Sequence, residues 1–259
     1  MARDRPHILR TQAVVLRSID YGETSRIVTL YTEDRGRMSV MVRGARSSKS
    51  RFGATLEPMA HIQAMVFCRP GRELQSLTET SQASTWRGIR RSLDKLETAW
   101  RIVEFTSALM HEEEAHEEVY ALLVSTLSAL DVAHTRSRNL WPLFQMRLVA
   151  HLGFEPAFTR EDVAALASER GILHLESGQM AQDVSDLDGG RAGGALREAS
   201  RAALRAFAIL CRADVASVLN MHMDAALRSE VEALVTGYVS WHVEAALPNR
   251  AEKVFAQIG

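Results

Sequence analysis

The chain has 259 residues, 46% of them apolar and 24% charged, with 31 basic against 32 acidic side chains. That is the composition of a folded globular protein, long enough for one large core or two smaller ones, and it excludes wholesale disorder. No apolar run approaches the ~18–20 residues of a membrane helix, and no apolar signal core follows Met1, so a cytoplasmic location is expected.

Strand signals come first. Ala13-Val14-Val15-Leu16 opens an apolar run, and Tyr21-Gly22-Glu23 reads as a turn. Arg26 to Tyr31 is β-branched and aromatic, and Glu33-Asp34-Arg35-Gly36 is a second turn. Met38, Val40 and Val42 then alternate with polar neighbours, as do Ile62, Ala64 and Val66; Leu74 and Leu77 lead a last polar strand after Pro70-Gly71. Period-two spacing between turn signals predicts antiparallel pairing, and five short strands in about 80 residues suit a small β-barrel better than a sandwich.

From about residue 86 the period changes to that of helices. Ile89, Leu93, Leu96, Trp100, Val103 and Met110 form one predicted stripe. Val119, Leu122, Leu123, Leu127 and Leu130 form a second, with the acidic run Glu112–Glu118 before it. Leu140, Leu143, Phe144, Leu148 and Leu152 form a third, with Pro142 early enough for a first turn. Gly153 and Pro156 stop that helix, Ile172 to Leu175 reads as a short strand, and Gly189–Gly194 as a flexible turn. Helical periodicity returns with Leu196, Ala203, Phe207 and Leu210, and again from Leu227 to Trp241. The expectation is a segregated α+β chain. A barrel domain over 1–82 precedes a helical domain over 83–259, with an irregular insertion at about 153–194.

Enzyme signatures are missing from the sequence: no phosphate loop, no dinucleotide fingerprint and no nucleophile elbow. His111 and His116 stand five apart, off the shared helix face a zinc protease needs, so a solvated charged turn is expected there. Cys68 and Cys211 are too few for a disulfide framework or a four-cysteine zinc site, and Cys68 reads as an inert buried thiol. Met221-His222-Met223 reads as core packing beside a surface histidine.

The near-neutral total conceals an asymmetry. Residues 1–80 hold a surplus of five positive charges, and the remainder a surplus of six negative ones. The stretch from Arg35 to Leu56 contains Arg35, Arg37, Arg43, Arg46, Lys49 and Arg51 and no acidic residue. Such a cation series has the footprint of a polyanion-binding track, since affinity for a phosphate backbone comes from several cations acting together. Gly44 and the serines at 47, 48 and 50 would let the loop backbone approach phosphates. A merely solvated basic loop has the same composition. Tyr31 and Phe52 are candidates for stacking or for the core.

The ordered series Ala13 to Leu16, Tyr21 to Thr32, Gly36, Val42-Arg43-Gly44-Ala45-Arg46, Lys49 to Phe52, Leu56-Glu57-Pro58 and Gly71 to Leu74 resembles the RecO family of recombination mediators. His151 to Pro156, and a last helix carrying Tyr238 before Pro248-Asn249-Arg250, continue the likeness. The resemblance implies an OB-fold followed by a helical bundle, with no catalytic residues and no cofactor. It implies binding of single- and double-stranded DNA, annealing of complementary strands, and help in loading RecA onto strands coated by single-strand-binding protein, in the RecF pathway. RecR and the acidic tail of single-strand-binding protein are the implied protein partners. For that tail, Arg87, Arg90, Arg91, Arg101, Arg136, Arg138 and Arg147 are candidates for a basic rim. Many members carry a four-cysteine zinc cluster after the Leu-Gly-Phe segment, whereas residues 157–200 here contain no cysteine, so zinc is not expected. Arg26 reads as a structural anchor paired with Glu23 or Glu57 rather than as a DNA contact. An OB-fold interaction module without a recombination role is the alternative that the residues leave open.

Overall fold

The fold is that of a computed structural model, which describes residues 5–183 and 196–246. The predicted Gly189–Gly194 turn and the Pro248–Arg250 segment lie outside them. The chain divides into two compact units, residues 1–131 and 132–259. The change from strands to helices comes earlier, after Ser84, so the first unit contains helices as well as the barrel.

The first unit opens with five strands: β1 (His7–Tyr21), β2 (Ser25–Thr32), β3 (Gly36–Val42), β4 (His61–Cys68) and β5 (Leu74–Ser84). They close a barrel in the order β1-β2-β3-β5-β4. Closure depends on the length of β1, whose first half pairs with β4 (His7 opposite Cys68) while its second half pairs with β2 (Tyr21 opposite Ser25). A short parallel contact between β3 and β5, Val40 opposite Gln75, completes the ring. Closure leaves this barrel without a free edge strand to template aggregation.

The alternation seen in the sequence points inward. Val15, Val28, Leu30, Met38, Val40, Val42, Ile62, Ala64 and Val66 fill the barrel, and a 310 turn over Gly53–Leu56 plugs it with Phe52 and Leu56. Phe52 and Tyr31 are both buried and so belong to the packing. The unbroken run Ala13–Leu16 departs from period two for a physical reason. A bulge falls between Val15 and Arg17, and α2 packs against β1, so this strand is buried on both faces.

Three helices complete this part of the chain: α1 (Arg87–Arg90), α2 (Leu93–Leu109) and α3 (Glu117–Val132). The α3 stripe is buried as predicted, and so are Ile89, Val103 and Met110 of the stripe before it. Leu93 and Trp100, expected inside, are 81% and 47% exposed, and Thr98, Ala99, Ile102, Phe105 and Thr106 face inward instead. Thr98 and Thr106 donate to the Asp94 and Ile102 carbonyls, so these polar residues enter the core with their hydroxyls satisfied.

The second unit contains α4 (Leu140–His151), α5 (Arg160–Ala164), β6 (Arg170–His174), β7 (Met180–Ala181), β8 (Leu196–Ser200), α6 (Arg201–Arg212), α7 (Val215–Asn220) and α8 (Ala225–Ala246). The three strands form an antiparallel sheet in the order β7-β6-β8. Leu196 therefore starts a strand, not the helix that its spacing suggested; helix α6 begins only after Ser200, whose hydroxyl accepts from the Ala203 amide as its cap. An aromatic contact joins α6 to α8, with Phe207 edge-on to Tyr238 at 5.6 Å, and within α8 Tyr238 is edge-on to His242 at 4.4 Å. Met223 is buried beside an exposed His222, as the sequence indicated.

Candidate nucleic-acid interface

The loop after β3 turns back across the barrel rim. Gly44 has φ +68, and the Ser47 amide and hydroxyl both donate to its carbonyl, which shapes a compact turn. The turn places Arg43, Lys49 and Arg51 around one shallow groove of about 410 Å³, with Ser47, Ser50 and the β5 segment Ser76–Thr78. All three cations are exposed. Arg51 lies 5.6 Å from the Phe52 ring centroid and donates from Nη2 to the Thr78 carbonyl at 2.6 Å, which holds the loop against β5. Among the described residues, no hydrogen bond or ion pair engages Arg43 or Lys49. Their charge is directed only at solvent or at a ligand.

The other three cations of the sequence series are arranged differently. Arg46 is exposed but bound at its base: Nε sits 3.2 Å from Asp20 Oδ2, and Nη1 donates to the Gly22 carbonyl at 3.0 Å. Arg35 donates to His7 Nε2 at 3.1 Å and lines a separate cleft with Glu112 and Glu113. Arg37 is largely covered, its side chain 18% exposed. It donates to the Ser107 carbonyl at 2.8 Å and stands 3.4 Å from Glu112. Arg37 and Arg43 are six residues apart along extended chain, which separates them by roughly 20 Å. The six cations thus form one groove of three, a neighbour, and a distant pair, not a single track.

Arg26 is an anchor. Nη1 meets Glu57 Oε1 at 2.8 Å and Nε meets Asp20 Oδ1 at 3.2 Å. Glu57 is its acceptor, as one of the two expected pairings had it, and Asp20 joins as a bridge to Arg46. The carboxylates hold the Arg26 guanidinium pKa above its ordinary value, chiefly through the Glu57 hydrogen bond.

The candidate rim arginines fall in both units. Arg101 pairs with Glu97 at 3.0 Å, Arg136 reaches the Leu219 carbonyl at 3.5 Å, and Arg147 donates to the Ala213 carbonyl. Arg87, Arg90 and Arg91 are exposed.

The resemblance would place a zinc cluster after Leu152-Gly153-Phe154. Residues 157–200 lack cysteine, and among the described residues no group of three His, Cys, Asp or Glu could hold a metal. Carbonyl-binding arginines tie the segment down instead. Arg212 donates to the carbonyls of Pro156 and Phe158 and pairs with Glu155 at 3.0 Å, while Arg201 donates to the Ser168 carbonyl at 2.7 Å. Cys68 and Cys211 are both buried, and burial pushes the Cys211 thiol up to about 12, which removes thiolate chemistry.

A closed five-stranded barrel with a basic loop on its rim, continued by helices, is an OB-fold α+β protein. Comparison with known proteins is specific beyond the fold. Residues 7–86 match the family model described as Recombination protein O N terminal, and residues 90–251 match Recombination protein O C terminal. A DNA repair protein RecO of Salinibacter ruber (strain DSM 13855 / M31) is 45% identical over 253 residues, covering 97% of this chain and 94% of that one. One of Chloroherpeton thalassium (strain ATCC 35110 / GB-78) is 27% identical over 259 residues, covering 97% and 99%. One of Anaeromyxobacter sp. (strain Fw109-5) is 39% identical over 132 residues, about half of each chain. The chain belongs to the recombination protein O family. It is a family of DNA repair and recombination mediators, not of enzymes. No helix among the described residues is long and apolar enough to cross a membrane.

Proposed function

We propose that this chain binds the DNA backbone through the groove of Arg43, Lys49 and Arg51, with Arg46 beside it, and uses that binding to anneal complementary strands. The observation that carries the reading is the convergence of three exposed cations on one groove, two of them without a side-chain partner among the described residues. Serine hydroxyls and a glycine turn in the same loop supply neutral phosphate contacts. Annealing follows from charge. Two strands repel each other through their phosphates, and a basic surface that neutralises both lowers the barrier to pairing without making or breaking a bond. The loop that carries these cations is held to the barrel by the Arg51 bond to the Thr78 carbonyl and the Arg46 bond to the Gly22 carbonyl, which limits how far their spacing can change. Single-strand-binding protein, RecR and RecA are the partners in this reading, and it places the chain with the nucleoid in the cytoplasm.

Titrating affinity for a single-stranded oligonucleotide against salt tests it. Each phosphate contact contributes a slope of about −0.7 in log K against log salt, so three groove cations predict a slope near −2 from this site alone. Replacing Arg43, Lys49 and Arg51 together by Ala should remove that slope and slow annealing in parallel. A folded triple variant with wild-type slope and annealing rate would overturn the proposal.

A further inference from the structure

The first unit also has a concave surface that is apolar where the groove is charged. A cleft of about 270 Å³ is lined by Pro58, Met59, Trp86, Ile89, Leu96 and Trp100, with Glu57 and Arg90 at its edge. Trp100 stands in mid-α2 with 47% of its surface exposed, and Leu93, seven residues earlier and on the same helix face, is 81% exposed. An indole left half in solvent beside a cleft is an exception for a residue type that is mostly buried. The cleft floor is built in advance: Trp86 takes the left-handed conformation at φ 36, stacks on His61 at 5.2 Å, and donates from Nε1 to Ser128 Oγ at 3.3 Å. A bulky residue holds such a backbone only when its surroundings fix it.

Glu57 and Arg90 are the charged residues of the lining. Arg87, Arg90 and Arg91 are exposed within five residues of chain, and among the described residues no hydrogen bond or ion pair of their side chains engages them. The neighbouring carboxylates are neutralised, Glu57 by Arg26 at 2.8 Å and Glu97 by Arg101 at 3.0 Å. A flat aromatic face with the Arg90 guanidinium at the cleft, and Arg87 and Arg91 exposed close by in the chain, matches the repeating chemistry of a single strand, base and then phosphate. The cleft and the proposed groove are lined by residues close together in the chain. Arg51 and Pro58 are seven residues apart, at most ~25 Å, a span that a strand of several nucleotides on an OB-fold covers.

We propose that this cleft takes a nucleobase of single-stranded DNA, stacked on Trp100, with the flanking phosphates held by Arg87, Arg90 and Arg91. The inference rests on the backbone-binding reading above and adds a base contact that the groove lacks, since Tyr31 and Phe52 are buried.

Binding of the full chain to two probes tests it: oligothymidylate of about twelve nucleotides, and an abasic sugar-phosphate strand of the same length. Both offer the same phosphates, and only the first offers bases. The wild type should prefer oligothymidylate by roughly five- to a hundredfold, the range of one base–aromatic stack. Trp100→Ala should abolish that preference while abasic affinity and the salt slope stay unchanged, and Trp100→Phe should restore part of it. Equal binding of both probes by the wild type, or an unchanged preference in Trp100→Ala, overturns this inference but leaves the groove standing. Binding of neither probe overturns the groove reading itself. If Trp100→Ala instead abolishes self-association or capture of an acidic peptide, with the probe preference intact, the cleft is a protein-docking site and the inference fails.

Discussion

His61 in β4 and Tyr120 in α3 share a hydrogen bond, Nε2 to the phenol oxygen at 3.1 Å, so a barrel strand is tied directly to a helix. The other imidazole nitrogen, Nδ1, lies 2.9 Å from Ser84 Oγ, and Trp86 covers the ring face. Every position on this histidine is occupied, and the group is buried with two neutral hydroxyls as partners.

Burial lowers the His61 pKa below its ordinary value of 6.5. The unfolded chain therefore takes up a proton at a higher pH than the folded one. Stability from neutral His61 is fully present above about pH 6.5 and is lost as pH falls from there toward the folded pKa. His242 in the second unit is shifted the same way, also by burial. Thermal melts between pH 7.5 and 5 should show a steady fall below pH 6.5. His61→Gln should lower the melting temperature at pH 7.5 yet shallow the acid-side decline, leaving the share due to His242. An unchanged acid-side slope would show that His61 titrates as it does in the unfolded chain.

Gly36 is irreplaceable for two separate reasons. Its φ is +64, where a side chain is strained, and a Cβ built there would stand 1.9 Å from the Glu114 carbonyl oxygen. Backbone cost and overpacking combine, so Gly36→Ala should destabilise the first unit by about 3 kcal/mol or more. Denaturant unfolding with the slope held constant measures it. Gly22, also at positive φ but with nothing near its Cβ, is the control and should lose only the backbone cost of roughly 1–2 kcal/mol on the same substitution.

Arg212 gathers backbone from the Glu155–Phe158 segment of the second unit and fixes it to α6. Arg212→Ala would leave the Pro156 and Phe158 carbonyls without their charged donor, a loss of about 1–3 kcal/mol. Arg212→Lys should recover little, because one ammonium does not reproduce a fork that reaches two carbonyls and a carboxylate. Washing the wild type with a chelator should leave its melting curve unchanged. A chelator-induced drop in melting temperature would show that a metal contributes after all.

The barrel was legible because its pattern is local and binary. Val28 and Leu30, Met38 to Val42, and Ile62 to Val66 each declare their buried face by alternation alone. What stayed hidden depended on partners distant in sequence. Leu196 to Ser200 forms a strand only because β6, more than twenty residues earlier, offers it an edge. On α2 the buried face includes Thr98 and Thr106, which read as polar until their hydroxyls are seen to bond the preceding turn, so Leu93 and Trp100 looked like the core. The basic series has the same lesson. Spacing put six cations near one another along the chain, but it gave no sign that Arg37 would be claimed by Ser107 and Glu112, some seventy residues on, or Arg46 by Asp20.

That division among the cations yields a contrast between two arginines at the ends of one strand. Arg37, with an 18% exposed side chain and its guanidinium on the Ser107 carbonyl, works for the fold. Arg43, exposed and lining the loop groove, works for a ligand. Arg37→Ala leaves a carbonyl without its charged donor and should cost about 1–3 kcal/mol of stability, with little change in the salt slope of DNA binding. Arg43→Ala removes an exposed side chain and should stay within about 0.5 kcal/mol of the wild type. It should nevertheless flatten the slope by about 0.7 and weaken every sequence alike, because a phosphate contact carries no base information. The two effects are separable in one preparation by a melt and a salt titration. If Arg37→Ala flattened the slope with no change in melting, its contacts with Ser107 and Glu112 would have to yield to DNA. The binding surface would then run the length of β3, and the groove at its end would be only one part of it.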